Sequence, residues 1–154
     1  MGLILSLAAI IPIVVVWKTS NTSTSSSTGV GTALNVSTSI GMASSTFGDQ
    51  QVAFTINMTI SSLSLVVTIQ RTPNTTYFGT YNSYNTIISS SYTTTSTQLI
   101  YTFFLQGGQV LQAGTYTCDV QFSLTNVNHT ASNDQYYIQT TNICGVTNSA
   151  SGYF

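Results

Sequence analysis

The sequence predicts a short apolar N-terminal helix joined to an all-β sandwich head, and three observations lead there. Residues 3–17 read LILSLAAIIPIVVVW, without a charge. Residues 19–28 contain only Ser, Thr and Asn. From Gln51 onward apolar and polar residues mostly alternate, the period of a strand with one buried face. The junction at Lys18 therefore joins a segment that must leave water to one that cannot fold alone. These shifts divide the chain into 1–18, an apolar helix; 19–34, a Ser/Thr-rich hinge; and 35–154, the head.

The helix comes first. A helix over residues 1–18 would be about 27 Å long, short of the 20 or so apolar residues that usually cross a bilayer. Met1 and Gly2 supply no basic start, and residues 11–17 hold no small-residue cleavage site. The segment therefore reads as retained rather than as a cleaved secretory signal. Pro12 predicts a bend near residues 8–12, which a bundle of apolar neighbours would tolerate. The β-branched run Ile13, Val14, Val15, Val16 leaves a second conformation open, an extended strand donated to another molecule. In either form the burying residues are Leu3, Leu5, Leu7, Ile10, Ile11, Val14, Val15 and Trp17.

The hinge and head are polar without being charged. Asp, Glu, Lys and Arg make up 3% of the 154 residues, against 42% hydrophobic, where soluble domains carry roughly 25% charged residues. The charged side chains are Lys18, Asp49, Arg71, Asp119 and Asp134. So little charge leaves few ion pairs to lose in acid, and predicts stability nearly flat from about pH 2 to 8. It provides no basic patch for nucleic acid and no polybasic stretch for anionic lipid. N-x-Ser/Thr sequons at Asn21, Asn35, Asn57, Asn74 and Asn128, together with two cysteines, point to an extracellular, N-glycosylated protein.

Within the head, Val52, Phe54, Ile56, Met58 and Ile60 share one phase, and Leu63, Leu65, Val67 and Ile69 the other. A bulge or tight turn at Ser61-Ser62 must absorb the slip. Thr72-Pro73-Asn74 ends the run as a turn. The Tyr/Asn-rich stretch 75–91 reads as a surface loop or edge strand whose rings lie on the sheet, with subunit contact as its functional alternative. A sugar-binding platform is disfavoured there, because no acidic or amide cluster accompanies the rings in sequence. Residues 99–105 form another strand, and Gln106-Gly107-Gly108-Gln109 reads as a hairpin turn.

The next stretch, Ala113-Gly114-Thr115-Tyr116-Thr117-Cys118, resembles the tyrosine corner of immunoglobulin-like domains, with Tyr two residues before Cys. The resemblance implies an immunoglobulin-like sandwich, though that family's upstream partner cysteine is missing. Strands near 116–124 and 135–141 would form a hairpin about residue 131. That register sets Cys118 opposite Cys144 and predicts a disulfide worth about 3 kcal/mol.

An apolar helix, a Ser/Thr-rich hinge and a Ser/Thr/Asn-rich β-head together resemble archaeal type IV pilins and, more distantly, archaellins. Leu5 stands where bacterial type IV pilins carry a Glu, which points to the archaeal branch. The resemblance implies a subunit held in the membrane before assembly, then polymerised with other copies into a helical homopolymer with glycosylated heads outside. It implies no cofactor and no metal.

Catalysis finds no support in the residues. Asp119, Asp134 and His129 read as unrelated edge, turn and loop-tip groups, with no nucleophile elbow beside them. One histidine and two cysteines 26 positions apart do not make a zinc site. The expectation is a non-enzymatic subunit of a cell-surface filament used for adhesion or motility. Its rivals are a thread-like filament built by strand donation and a membrane-anchored monomeric surface glycoprotein.

Overall fold

The computed structural model describes residues 33–154 together with a two-residue strand at Ser23–Thr24. Residues 1–18, with the expected helix and its alternative as a donor strand, lie outside the described residues. The head is an all-β sandwich of two five-stranded antiparallel sheets. Its strands are β1 (Ser23–Thr24), β2 (Leu34–Ala43), β3 (Phe47–Ile56), β4 (Ile60–Gln70) and β5 (Thr76–Asn82). They continue with β6 (Ile88–Thr94), β7 (Gln98–Leu105), β8 (Gly114–Ser123), β9 (Gln135–Asn142) and β10 (Thr147–Tyr153). One sheet, sheet A, runs β1-β2-β3-β8-β5; the other, sheet B, runs β10-β9-β4-β7-β6.

Alternation decides which face of each strand is inside. In β3, Val52, Phe54 and Ile56 turn inward, and in β4 Leu63, Leu65, Val67 and Ile69 do the same. They meet Tyr101, Phe103, Val120, Phe122 and Ile138 in one continuous core. At about 25 cal/mol per Å² of apolar surface removed from water, burial of these rings and branched chains is the main force joining the sheets.

The phase slip at Ser61-Ser62 is a bulge, where the β4–β9 register shifts between Ile60 and Ser62. The strand expected to run through Met58 stops earlier. β3 ends at Ile56, the chain turns at residues 57–59, and β4 enters the opposite sheet, leaving Met58 exposed. The Thr72-Pro73-Asn74 turn is present. The Thr75 N–H donates to the Thr72 carbonyl at 3.1 Å, and Asn74 has φ 66°, a left-handed value that Asn tolerates. The Tyr-rich stretch supplies β5 and β6, an edge strand of each sheet. Tyr77 and Tyr92 stack between these edges with centroids 3.7 Å apart.

Two connections differ from expectation. Residues 106–109 do turn, with the Gln109 N–H donating to the Gln106 carbonyl at 3.0 Å. They carry the chain from β7 in one sheet to β8 in the other, so they close no hairpin. Likewise β8 and β9 are not partners: β8 lies between β3 and β5, and β9 between β4 and β10. A midpoint argument sees only local pairing, whereas each strand here lies between two others in a separate sheet.

The expected Cys118–Cys144 bond fails for that reason. Cys118 is buried on β8 opposite Val52, Cys144 sits exposed in the β9–β10 turn, and both are free thiols. The hinge is also more than a spacer, since Ser23 and Thr24 pair with Val36 and Asn35 on β2.

Candidate functional site

The residues expected to drive polymerisation, Leu3, Leu5, Leu7, Ile10, Ile11, Val14, Val15 and Trp17, lie outside the described residues, as does Asn21. The other four sequons are all exposed. Asn35 sits on β2, Asn57 in the β3–β4 turn, Asn74 in the β4–β5 turn and Asn128 in the β8–β9 loop. Asn57 also holds the chain leading into β2, its Oδ1 accepting from the Ala33 N–H at 2.9 Å.

The three aspartates take two different roles. Asp134 is fully buried. Its Oδ1 accepts from the Gln70 N–H at 2.7 Å, and its Oδ2 accepts from Gln50 Nε2 at 2.5 Å. The same Oδ2 pairs with His129 Nε2. Gln50 belongs to β3 and Gln70 to β4, so this one carboxylate bridges the two sheets and the β8–β9 loop. His129 is therefore not the solvated loop-tip group expected; its side chain is 7% exposed and packs edge-on against Phe122.

The sequence held a signal for this cluster. Gln50 lies in the same phase as Val52, Phe54 and Ile56, and a polar residue at a core position must find a buried partner.

Beside the cluster is a cavity of about 170 Å³, bounded by Ile40, Met42, Phe47, Gln50, Phe122 and His129 among others. Gly48 lets Phe122 close against β3, because a Cβ there would overlap the ring. His129 Nδ1 and Gln50 Oε1 have no partner. Ser44, at the cavity rim, turns its Oγ back into the β2–β3 hairpin, where it accepts from the Phe47 N–H at 2.9 Å. The Ser44 hydroxyl is thus engaged within its own hairpin, and the His–Asp pair, bonded to groups of both sheets, reads as a structural bridge. Among the described residues no three metal-ligating side chains come together.

Asp49 and Asp119 lie instead on the outer face of sheet A. In the β3–β8 register Asp49 is opposite Gln121 and Gln51 opposite Asp119, so the carboxylates are diagonal neighbours on one face. Burial, and secondarily the nearby Asp119, push the Asp49 carboxyl up to about 6. Burial also raises Asp119, against the opposing effect of a hydrogen bond from Gln51. Asp49 lies across Gly41 on β2, where a Cβ would come within 2.7 Å of its Oδ2.

The register fills in this face. Tyr81 on β5 is opposite Asp119, Gly79 is opposite Gln121, and Met42 on β2 is opposite Asp49. The β5 bulge between Tyr77 and Gly79 turns Phe78 onto Phe47, with rings edge to face at 5.1 Å. Sheet B presents a face of another kind. Tyr137, Val66, Thr102 and Ser91 run across β9, β4, β7 and β6 in one register row, without a charge.

No protein-family model matches this chain, and no curated protein matches it significantly. Function therefore rests on the residues themselves.

Proposed function

We propose that this chain is the structural subunit of an extracellular filament of the archaeal type IV pilin kind, serving adhesion or surface motility. The observation that carries the reading is the junction at Lys18. There an uncharged apolar run meets a Ser/Thr/Asn tract and then a head that has buried its own core. An apolar run gains by leaving water, and repeated burial of the same segment by successive copies would build a helical polymer rather than a closed ring.

Several features of the head agree. Tyr116 donates its hydroxyl to the Gln112 carbonyl at 2.9 Å, the bond of a tyrosine corner, which supports the finer reading of an immunoglobulin-like sandwich. The four described sequons are exposed, as glycosylation on a filament surface requires. The described core is closed, with Phe54, Leu65 and Ile138 at 0% exposure. A sandwich awaiting a donated strand would leave part of that core open, so packing of N-terminal helices is favoured over strand donation.

Electron microscopy of the purified full chain tests the proposal. Filaments are expected, with the heads outside and residues 1–18 at the axis. Ile10→Asp with Val14→Asp should abolish them while the head keeps its β-sheet circular dichroism. Monomers under every assembly condition, or filaments indifferent to the double substitution, would refute the reading.

A further inference from the structure

The outer face of sheet A holds a combination that neither the core nor the polymerisation segment explains. Two of the chain's three carboxylates lie on it, flanked by two amides and by rings left in water. Phe78 is 61% exposed and Tyr81 56%. Along β5 the two rings bracket Gly79, which puts no side chain between them. On the neighbouring strands the gap is floored by Gln121 and Asp119 of β8, then Asp49 and Gln51 of β3. From Phe47 to Gln51 the face extends about 13 Å along the strand, and about 10 Å across β3, β8 and β5. That is room for a short oligosaccharide.

We propose that this face binds a neutral glycan, with Phe78 and Tyr81 stacking on sugar rings while Asp49, Asp119, Gln51 and Gln121 hydrogen-bond their hydroxyls. Chemistry on the face selects that occupant. Asp49, Gln51, Asp119 and Gln121 are all part-exposed, so the face offers carboxylate and amide acceptors to a partner that brings donors. Among the described residues a second copy of this chain brings one Lys or Arg to offset the carboxylates, Arg71. Its guanidinium is held by the carbonyls of Thr75 at 3.0 Å and Thr95 at 2.5 Å. Polyanions, nucleic acid included, are repelled. A polyol supplies many uncharged donors, and its apolar ring faces fit aromatic side chains. The sequence hid this arrangement because Tyr81, Asp119 and Gln51 become neighbours only through the β5–β8–β3 ladder.

The proposal is independent of filament assembly and is tested on the dispersed full chain, in a detergent without a sugar headgroup. Mannohexaose, cellohexaose and chitohexaose are titrated in separate arms, with tyrosine fluorescence and calorimetry as readouts. Poly-lysine serves as a fourth arm. At least one oligosaccharide should bind, and Tyr81→Ala or Phe78→Ala should each weaken it about tenfold. Asp119→Asn should also weaken it, whereas Tyr137→Ala on sheet B should leave it unchanged. The proposal is overturned by silence from all three sugars, by binding of poly-lysine alone, or by sugar binding that survives Tyr81→Ala. Circular dichroism of each variant confirms that a loss of binding is not a loss of fold.

Discussion

Replacing Asp134 by Ala should be among the most damaging single changes in the head. The substitution deletes an acceptor at 0% exposure and strands the Gln70 N–H, Gln50 Nε2 and His129 Nε2 around it. A buried donor left unpaired costs about 1–3 kcal/mol, and removing one member of a buried charged cluster costs about 3–5 kcal/mol. Some relaxation into the neighbouring cavity is open to Gln50 and His129, so we expect about 4 kcal/mol. With a guanidinium dependence of about 3 kcal/mol per molar, the unfolding midpoint should fall by about 1.3 M. Asp134→Asn keeps the shape and one acceptor, and should lose about half as much. A double-mutant cycle between Asp134→Ala and His129→Ala should return at least about 1 kcal/mol of coupling. A stability loss under about 1 kcal/mol, a midpoint shift under about 0.3 M at unchanged slope, would refute the bridging role.

Three further outcomes follow from the same residues. Asp49 is raised from 3.8 to about 6 in the folded state, so folding favours its protonated form. Stability is therefore greatest below about pH 4 and falls as pH rises through 6. The full shift would be worth about 3 kcal/mol, reduced by water screening of this half-buried group to about 1 kcal/mol. The flat profile expected from composition thus gains a slope, which melting temperatures across pH 3–8 would show and Asp49→Asn would reduce. Gly48→Ala forces the Phe122 ring to move and should cost about 1–3 kcal/mol, measured by denaturant unfolding. Native protein should expose one reactive thiol, Cys144. Cys118 should react only after unfolding, because burial holds the thiol on the protonated side. A thiol-reagent titration that finds none would restore the disulfide.

Local features of the fold were legible in the chain, and long-range ones were not. Alternation at residues 52–56 and 63–69, the bulge at Ser61-Ser62, the turn at Asn74 and the Tyr116 corner each depend on neighbours a few positions away. Strand pairing depends on which partner buries more surface. Residues 116–124 and 135–141 looked like a hairpin because each is a strand and they are adjacent in sequence. In the sandwich they become interior strands of different layers. The Asp134 cluster and the sheet A face failed to register for the same reason, since their members converge from strands distant in the chain. The in-phase glutamine at position 50 was the one local trace of either.

The registers of the two sheets also constrain when the head can exist. The inner strands β3 and β4 arise early in the chain, yet β3 takes β8 as a partner, matching Val52 with Cys118, and β4 takes β9, matching Leu65 with Ile138. Such topologies have high contact order and fold over milliseconds to seconds rather than microseconds. Sheet A is not complete until the chain has emerged past Ser123, and sheet B not until it has emerged past Tyr153. A head still being synthesised or threaded through a pore is thus an unfolded polymer. It collapses as one cooperative unit only once nearly the whole sequence is free.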